Sequence, residues 1–401
     1  MTTLKKTVAV AGTVAGGVLL VSLLQPFFLG HITQIDSYFL FSGVDIKYLH
    51  FDLLVASIVV VIWVIDLFVS IIDRKELITP KPIESTEEVS HKHAESTFTE
   101  VKKWPNQFEY SQAFQNPGYS FARELSGGTV IKNPNVKMTG NMIYSSGNYG
   151  LIFKIEKESK YYAIKCFTKG SDLHKRYYEI GKHIKSRNLS CIVNFEYLEA
   201  GVRTMKDPSI YYPVLKMDWI EGDSLYTYIK RNLDDGKEIR RIANEFAKSV
   251  ILLKKNHIAH GDLSSDNIMI SNGKVIFVDY DGMYVPSLKD LPSNENGHEN
   301  FQHPSRRSSD YGEDMDNFSA LVIYTSLYVL SLRPEAWKFN GDDPDALLFR
   351  KDDFLHYERS EVFDYIKKMG GKSAKLASLL IKSLQDGNVN AVEPTKFYSA
   401  K

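Results

Sequence analysis

The residues of this chain that can do chemistry gather around one short apolar hairpin. In His260–Gly282 (HGDLSSDNIMISNGKVIFVDYDG), Asp262 and Asn267 precede the apolar run Ile268–Ile270, and Asp279 and Asp281 follow a second run, Val275–Val278. Ser271-Asn272-Gly273-Lys274 is the turn between two strands. Folding the hairpin back brings carboxylates and an amide to one end of a sheet. Such a set suits Mg²⁺, which prefers oxygen ligands and takes one or two protein carboxylates, leaving room for phosphate oxygens. Surface hairpins often carry Asp and Asn for no catalytic reason, so this reading needs a second half elsewhere in the chain.

That half lies at Ile143–Phe167 (IYSSGNYGLIFKIEKESKYYAIKCF), which reads as strand, glycine loop, strand, charged turn, strand. Ser146-Gly147-Asn148-Tyr149-Gly150 is the loop. Gly147 and Gly150 let backbone N–H groups approach phosphate oxygens. On the third strand Lys165 is flanked by Ile164, Cys166 and Phe167, a setting that suits a buried, paired ammonium better than an exposed one. Leu173–Ile184 follows with helical spacing, its apolar stripe being Leu173, Tyr177, Ile180 and Ile184.

H-x-D-x-x-x-x-N, a β-turn-β and an Asp at the strand end resemble the core of the protein-kinase superfamily. The resemblance implies that Asp262 is the base orienting the attacking hydroxyl, Asn267 a metal ligand and Asp279 the principal metal ligand, with ATP and Mg²⁺ as cofactors. Tyr280 stands for the Phe of D-F-G. Tyr162-Ala163-Ile164-Lys165 resembles V-A-I-K, whose Lys contacts the phosphates. Glu179, the only Glu of the following helix, is implied as its ion-pair partner. Ser145 takes the first position of the G-x-G-x-x-G pattern, before Gly147 and Gly150. Tyr212–Leu225 resembles the last N-lobe strand and hinge. Met217 would back the adenine pocket, the backbone of Asp218 to Ile220 would bind the adenine edge, and Ile152, Ala163 and Leu215 would wall it.

Lys237–Asn256 is a strongly periodic helix with Ile242, Phe246, Val250 and Leu253 as its buried stripe. Asp281–Pro304 resembles an activation segment, with Phe301-Gln302-His303-Pro304 at its end but lacking the Glu of A-P-E. Asp316-Asn317-Phe318-Ser319 opens a helix that resembles D-x-W-S-x-G, and Asp316 is implied to cap the backbone of the catalytic loop. Further helices are expected near Asp343–Phe349, Glu361–Met369 and Ser373–Leu384. The chain departs from the family pattern at three places. Gly261 stands for the Arg of H-R-D, Ser264 for a Lys that neutralises the transferring phosphoryl group, and Asp281 for the Gly of D-F-G. Asp281 would add a carboxylate to the metal or restrict the loop.

Lys plus Arg number 49 and so do Asp plus Glu, so no global field points to nucleic acid. The first 77 residues read as a transmembrane helical hairpin. Residues 7–28 carry no charge, and 51–72 carry only Asp52 and Asp66. The run is too long for a signal-peptide core, and no small-x-small cleavage site follows. Lys5, Lys6, Arg74 and Lys75 flank the outer ends and Lys47 alone lies between, so both termini and the globular part are expected in the cytoplasm, at the inner (plasma) membrane. Gly12 and Gly16 form a small-xxx-small step at which two copies could pair. Residues 78–106 read as a flexible linker and His91 and His93 as solvated, 107–390 as the kinase-like domain, and 391–401 as a tail. Cys166 and Cys191 read as packing residues.

The expected fold is therefore α+β and two-lobed, with a β-rich N-lobe to about residue 217 and a helical C-lobe. The expected activity is ATP-dependent phosphorylation of Ser or Thr in protein substrates. A nucleotide-binding pseudokinase scaffold and a small-molecule phosphotransferase are the rival readings.

Overall fold

The computed structural model describes residues 103–133, 142–147, 149–169, 173–187, 189–390 and 392–399. The chain divides into two units, Met1–Glu95 and Ser96–Lys401, and the described residues belong to the second. Both expected spans, 7–28 and 51–72, and the linker up to residue 102 lie outside the described residues. Among the described residues no helix is long and apolar enough to cross a membrane.

The N-terminal part is an antiparallel sheet. Its strands are β1 (Thr129–Ile131), β2 (Ile143–Ser146), β3 (Gly150–Lys157), β4 (Lys160–Phe167), β5 (Phe195–Val202) and β6 (Tyr212–Asp218), ordered β1-β3-β4-β6-β5 with β2 also on β3. Glu158 and Ser159, at φ 52° and 60°, reverse β3 into β4, the left-handed pair a two-residue hairpin needs. Alternation along the strands sorts the two faces. Leu151, Phe153, Ile155, Ile164, Cys166 and Val214 pack on one side with Tyr110 and Phe114 from helix α1 (Gln107–Gln115). The Phe114 and Phe153 rings stack at 3.7 Å. Helix α1 is a finding beyond the sequence expectation; Asn106 and Glu109 close it with a capping box. Trp104, placed in the expected linker, packs its ring 5.8 Å from Phe167 and is part of the fold.

After α2 (Pro117–Ser120) and α3 (Leu173–Lys185) come α4 (Leu225–Arg231), α5 (Gly236–Lys255) and α6 (Asn317–Leu330). The last is buried on nearly every side, the pattern of a helix apolar all round. A small antiparallel sheet of β7 (Asp223–Ser224), β8 (Ile268–Ser271) and β9 (Lys274–Phe277) lies at the start of this part. Asn272 and Gly273, at φ 48° and 73°, make its tight turn. The helices α7 (Lys351–Leu355), α8 (Glu361–Lys368), α9 (Gly371–Gln385) and α10 (Pro394–Ser399) follow.

Two expectations are corrected here. Asp343–Phe349 is not a helix. The Asn340 amide donates to the carbonyls of Asp343 (2.8 Å) and Ala346 (2.9 Å), satisfying by side chain what a helix would satisfy by backbone. The apolar run Leu347–Phe349 is nonetheless buried. The expected tail contains α10, whose Phe397 is fully buried with its ring 5.4 Å from Tyr324. Cys166 and Cys191 are free and buried, as packing residues should be.

Candidate active site

The register of the sheet puts most of the expected nucleotide residues on one face. Ser145 pairs with Ile152, Ile152 with Lys165, and Lys165 with Leu215, a single row across four strands. Ala163 pairs with Met217 in the next row on that face. Gly147 is exposed, and its N–H reaches the Gly150 carbonyl at 2.9 Å to close the loop. Gly150 is required for a packing reason: a Cβ there would lie 2.6 Å from the carbonyl oxygen of Cys166. At the expected hinge the Trp219 N–H is taken by the Tyr161 carbonyl at 3.0 Å, so that donor belongs to the sheet. Asp218 ends β6 and Ile220 follows, half-buried. A cavity of about 520 Å³ opens beside Met217 against α3, lined by Tyr177, Gly181 and Phe195.

The Lys165 side chain is buried and meets two carboxylates, Asp279 at 2.7 Å and Asp281 at 2.6 Å, with the Tyr177 hydroxyl at 3.3 Å. Burial pulls this ammonium toward neutrality, but Asp279 and Asp281 outweigh it and hold its pKa above the ordinary value. Burial alone would raise the Asp279 carboxyl; Lys165 reverses that and holds it below the usual range. Burial pushes the Asp281 carboxyl up.

Glu179 is therefore not the partner of Lys165. Residues two apart on an α-helix point roughly 200° apart. With Tyr177 turned in, 1% exposed, Glu179 is turned away and half-exposed. The signal was in the sequence: Tyr177 belongs to the apolar stripe and Glu179 does not.

The loop that carries Asp262 is assembled by contacts from distant chain. Asp316 accepts from the backbone N–H of His260 and, at 2.9 Å, from that of Gly261. His260, fully buried, donates from Nε2 to the Val278 carbonyl at 2.9 Å, so the loop and the strand leading to Asp279 are tied together. Asp279 itself has φ 61°, a left-handed conformation uncommon outside glycine and held at functional sites by its surroundings. The Tyr280 hydroxyl donates to the Phe277 carbonyl and accepts from the Val193 N–H, at 2.8 and 2.9 Å.

Gly261 also has its reason in the fold. Its φ is +86°, and a Cβ would lie 2.1 Å from the Gly282 carbonyl oxygen. Gly261→Ala is expected to lower stability by about 1–3 kcal/mol, read as a lowered midpoint of chemical unfolding. Ser264, in place of a lysine, is buried and its hydroxyl accepts from the Asn267 N–H at 3.4 Å.

The Asp262 carboxylate is held from two sides. Asn267 Nδ2 donates to Oδ2 at 2.8 Å and to the Asp262 carbonyl at 2.9 Å, which turns its own carbonyl oxygen away from Asp262. From the segment after Asp281, the His298 N–H donates to Oδ1 at 2.7 Å. The same segment meets the glycine loop, where the Tyr149 hydroxyl donates to the Asn294 carbonyl at 2.8 Å. Arg306 then reaches back under the loop and donates to the Gly261 carbonyl (2.9 Å) and to Gln302 (2.6 Å). Arg306 and His298 belong to no motif of the sequence, and Gln302 only to the stretch at the place of A-P-E; the segment reads as irregular because its partners lie far along the chain.

Glu295 belongs to this cluster as well. Burial, then the charges of Asp262, Asp281 and Asp279, push its carboxyl from 4.5 up to about 8. The folded state thus binds a proton that the unfolded chain releases above pH 4.5. The stability this contributes is complete below 4.5 and is lost as pH rises through 8. The thermal midpoint is expected to fall between pH 6 and 8.5, and to fall less in Glu295→Gln. Equal slopes for the two proteins would contradict this assignment.

No curated protein matches the chain. Residues 143–366, more than half of the 401, match the protein kinase domain.

Proposed function

Because the chain belongs to the protein kinase family, and so is an ATP-binding phosphotransferase, we propose that it transfers the γ-phosphoryl group of Mg-ATP to Ser or Thr hydroxyls of protein substrates. The observation that carries this reading is the convergence of Lys165, Asp279, Asn267 and Asp262 at the mouth between sheet and catalytic loop.

The donor set fits a hard divalent cation. Asp279 leaves its side chain 44% exposed, and Asn267 keeps an amide oxygen free of Asp262. These two would hold Mg²⁺, all-oxygen ligands of the kind it takes. When bound, the ion neutralises charge on the phosphate oxygens. Lys165 supplies a fixed cation for the phosphates. Asp262 orients the attacking hydroxyl and accepts its proton at a carboxylate oxygen, since each oxygen keeps an acceptor site beyond the bond it takes from Asn267 or His298. Ser145, Gly147 and Gly150 cover the phosphates, while Ile152, Ala163, Met217 and the backbone at Asp218 and Ile220 receive the base.

The long apolar runs at 7–28, without charge, and 51–72, with only Asp52 and Asp66, have basic residues at their outer ends and support a membrane-anchored protein whose kinase domain faces the cytoplasm. Pairing through Gly12 and Gly16 would make it a dimer. The hold of His298 on Asp262 supports a second reading, a nucleotide-binding scaffold whose output is conformational.

The deciding experiment uses the full chain in membranes with γ-labelled ATP and Mg²⁺, beside Asp279→Ala. Label on Ser or Thr of protein, lost by at least about 100-fold in the variant, is expected. Label that persists in Asp279→Ala would sink the mechanism. Nucleotide binding without any transfer would establish the scaffold instead.

A further inference from the structure

Asp281 stands where the kinase pattern has a glycine, and its contacts give it a role. It is 6% exposed, and both carboxylate oxygens are engaged, Oδ2 with Lys165 at 2.6 Å and Oδ1 with the Tyr177 hydroxyl at 2.5 Å. Tyr177 is fixed in turn, its ring 5.8 Å from Phe167 and 5.4 Å from Phe195. Asp279, the other carboxylate on Lys165, uses Oδ1 for that contact and is 44% exposed. One ammonium thus faces two carboxylates that differ in access: one open to the cleft, the other enclosed. An enclosed carboxylate with both oxygens engaged is poorly placed to enter a metal shell, which argues against the metal-ligand role considered for it from sequence.

Resting on the kinase reading above, we infer that Asp281 is the fixed positioning partner of Lys165, oriented by Tyr177, in place of a glutamate from helix α3. Asp279 is then the exchangeable partner, which leaves Lys165 when a cation is bound. The charges agree with this division. With Asp279 turned to a cation, one buried ammonium remains opposite one buried carboxylate, the balance a buried charge requires. A consequence is that α3 reaches Lys165 through the hydroxyl of Tyr177 rather than through a carboxylate. Movement of α3 can therefore loosen the orientation of the pair without separating its charges.

The test is a double-mutant cycle on the full chain with Lys165→Met, Asp281→Asn and the combination, beside Glu179→Gln. Two readouts are taken: binding of a fluorescent ATP analogue with Mg²⁺, and the thermal unfolding midpoint. Asp281→Asn is expected to weaken nucleotide binding by roughly tenfold or more alone and by less than about twofold in the Lys165→Met background. Glu179→Gln should leave binding within about twofold of the parent. For the midpoint, each of the Lys165 and Asp281 substitutions should lower it, and the combination should lower it no further than the worse of the two.

Additive losses in the midpoint, or a loss from Glu179→Gln equal to that from Asp281→Asn, would overturn the assignment. Should the parent protein bind no nucleotide, the kinase reading falls. The midpoint cycle still decides whether Asp281 and Lys165 act as a pair.

Discussion

Asp262→Asn is expected to slow phosphoryl transfer by roughly 10²–10⁴-fold while leaving nucleotide affinity within a few-fold. The substitution keeps the shape of the side chain but removes its ability to take a proton. It also points an amide N–H₂ at one of the two donors now satisfied there, the His298 N–H or the Asn267 amide. The nucleotide contacts assigned to Lys165 and the glycine loop are untouched, so binding should report little change. A rate within about tenfold of the parent would show that Asp262 is not the base and that its carboxylate serves the loop alone.

The second large effect is on stability. Asp316 is 5% exposed, and its two oxygens accept the backbone N–H groups of His260 and Gly261, some 55 residues away in sequence. Asp316→Ala leaves both donors buried without a partner. At about 1–3 kcal/mol for each, the expected loss is about 2–6 kcal/mol, enough to unfold many domains of ordinary stability. It also removes a negative charge that faces the buried guanidinium of Arg306. Asp316→Asn, which keeps one acceptor oxygen, should fall between the parent and the alanine variant. Chemical unfolding of the three proteins measures the series, and an Asp316→Ala midpoint equal to the parent would contradict the capping role. Because the same two N–H groups set the loop that carries Asp262, transfer activity should fall with stability in the same order.

These two expectations rest on residues of different legibility. Asp262 announces itself through a short spacing, since H-x-D-x-x-x-x-N and the Asn272-Gly273 turn are local patterns whose geometry is fixed within a few residues. The same holds for the Lys165 strand. A period of two places Lys165 and Ala163 on one face once the strand is recognised, and pairing with Met217 and Leu215 follows from its neighbours in the sheet. Asp316 was legible only through resemblance to a helix opening. What it caps could not be read from its own surroundings.

The sequence alone indicated the two lobes and the order of their elements, because these depend on local period and turn chemistry, while its resemblance to the kinase motifs singled out Lys165, Asp262, Asn267 and Asp279 as the proposed chemical set. Tertiary structure alone decided which groups those residues meet. Lys165 meets Asp281 and Tyr177 rather than Glu179, Asp262 is held by His298, Gly261 is forced by the Gly282 carbonyl, and Arg306 lies beneath the loop. The expected helix at Asp343–Phe349 gave way to the Asn340 amide, and the expected tail to the burial of Phe397. The physical reason is common to all of these. A side chain's partner is selected by packing across the fold, where a rotation of 100° per helical residue exchanges one candidate for another. Local sequence constrains that phase only when the apolar stripe is allowed to overrule the single acidic residue beside it.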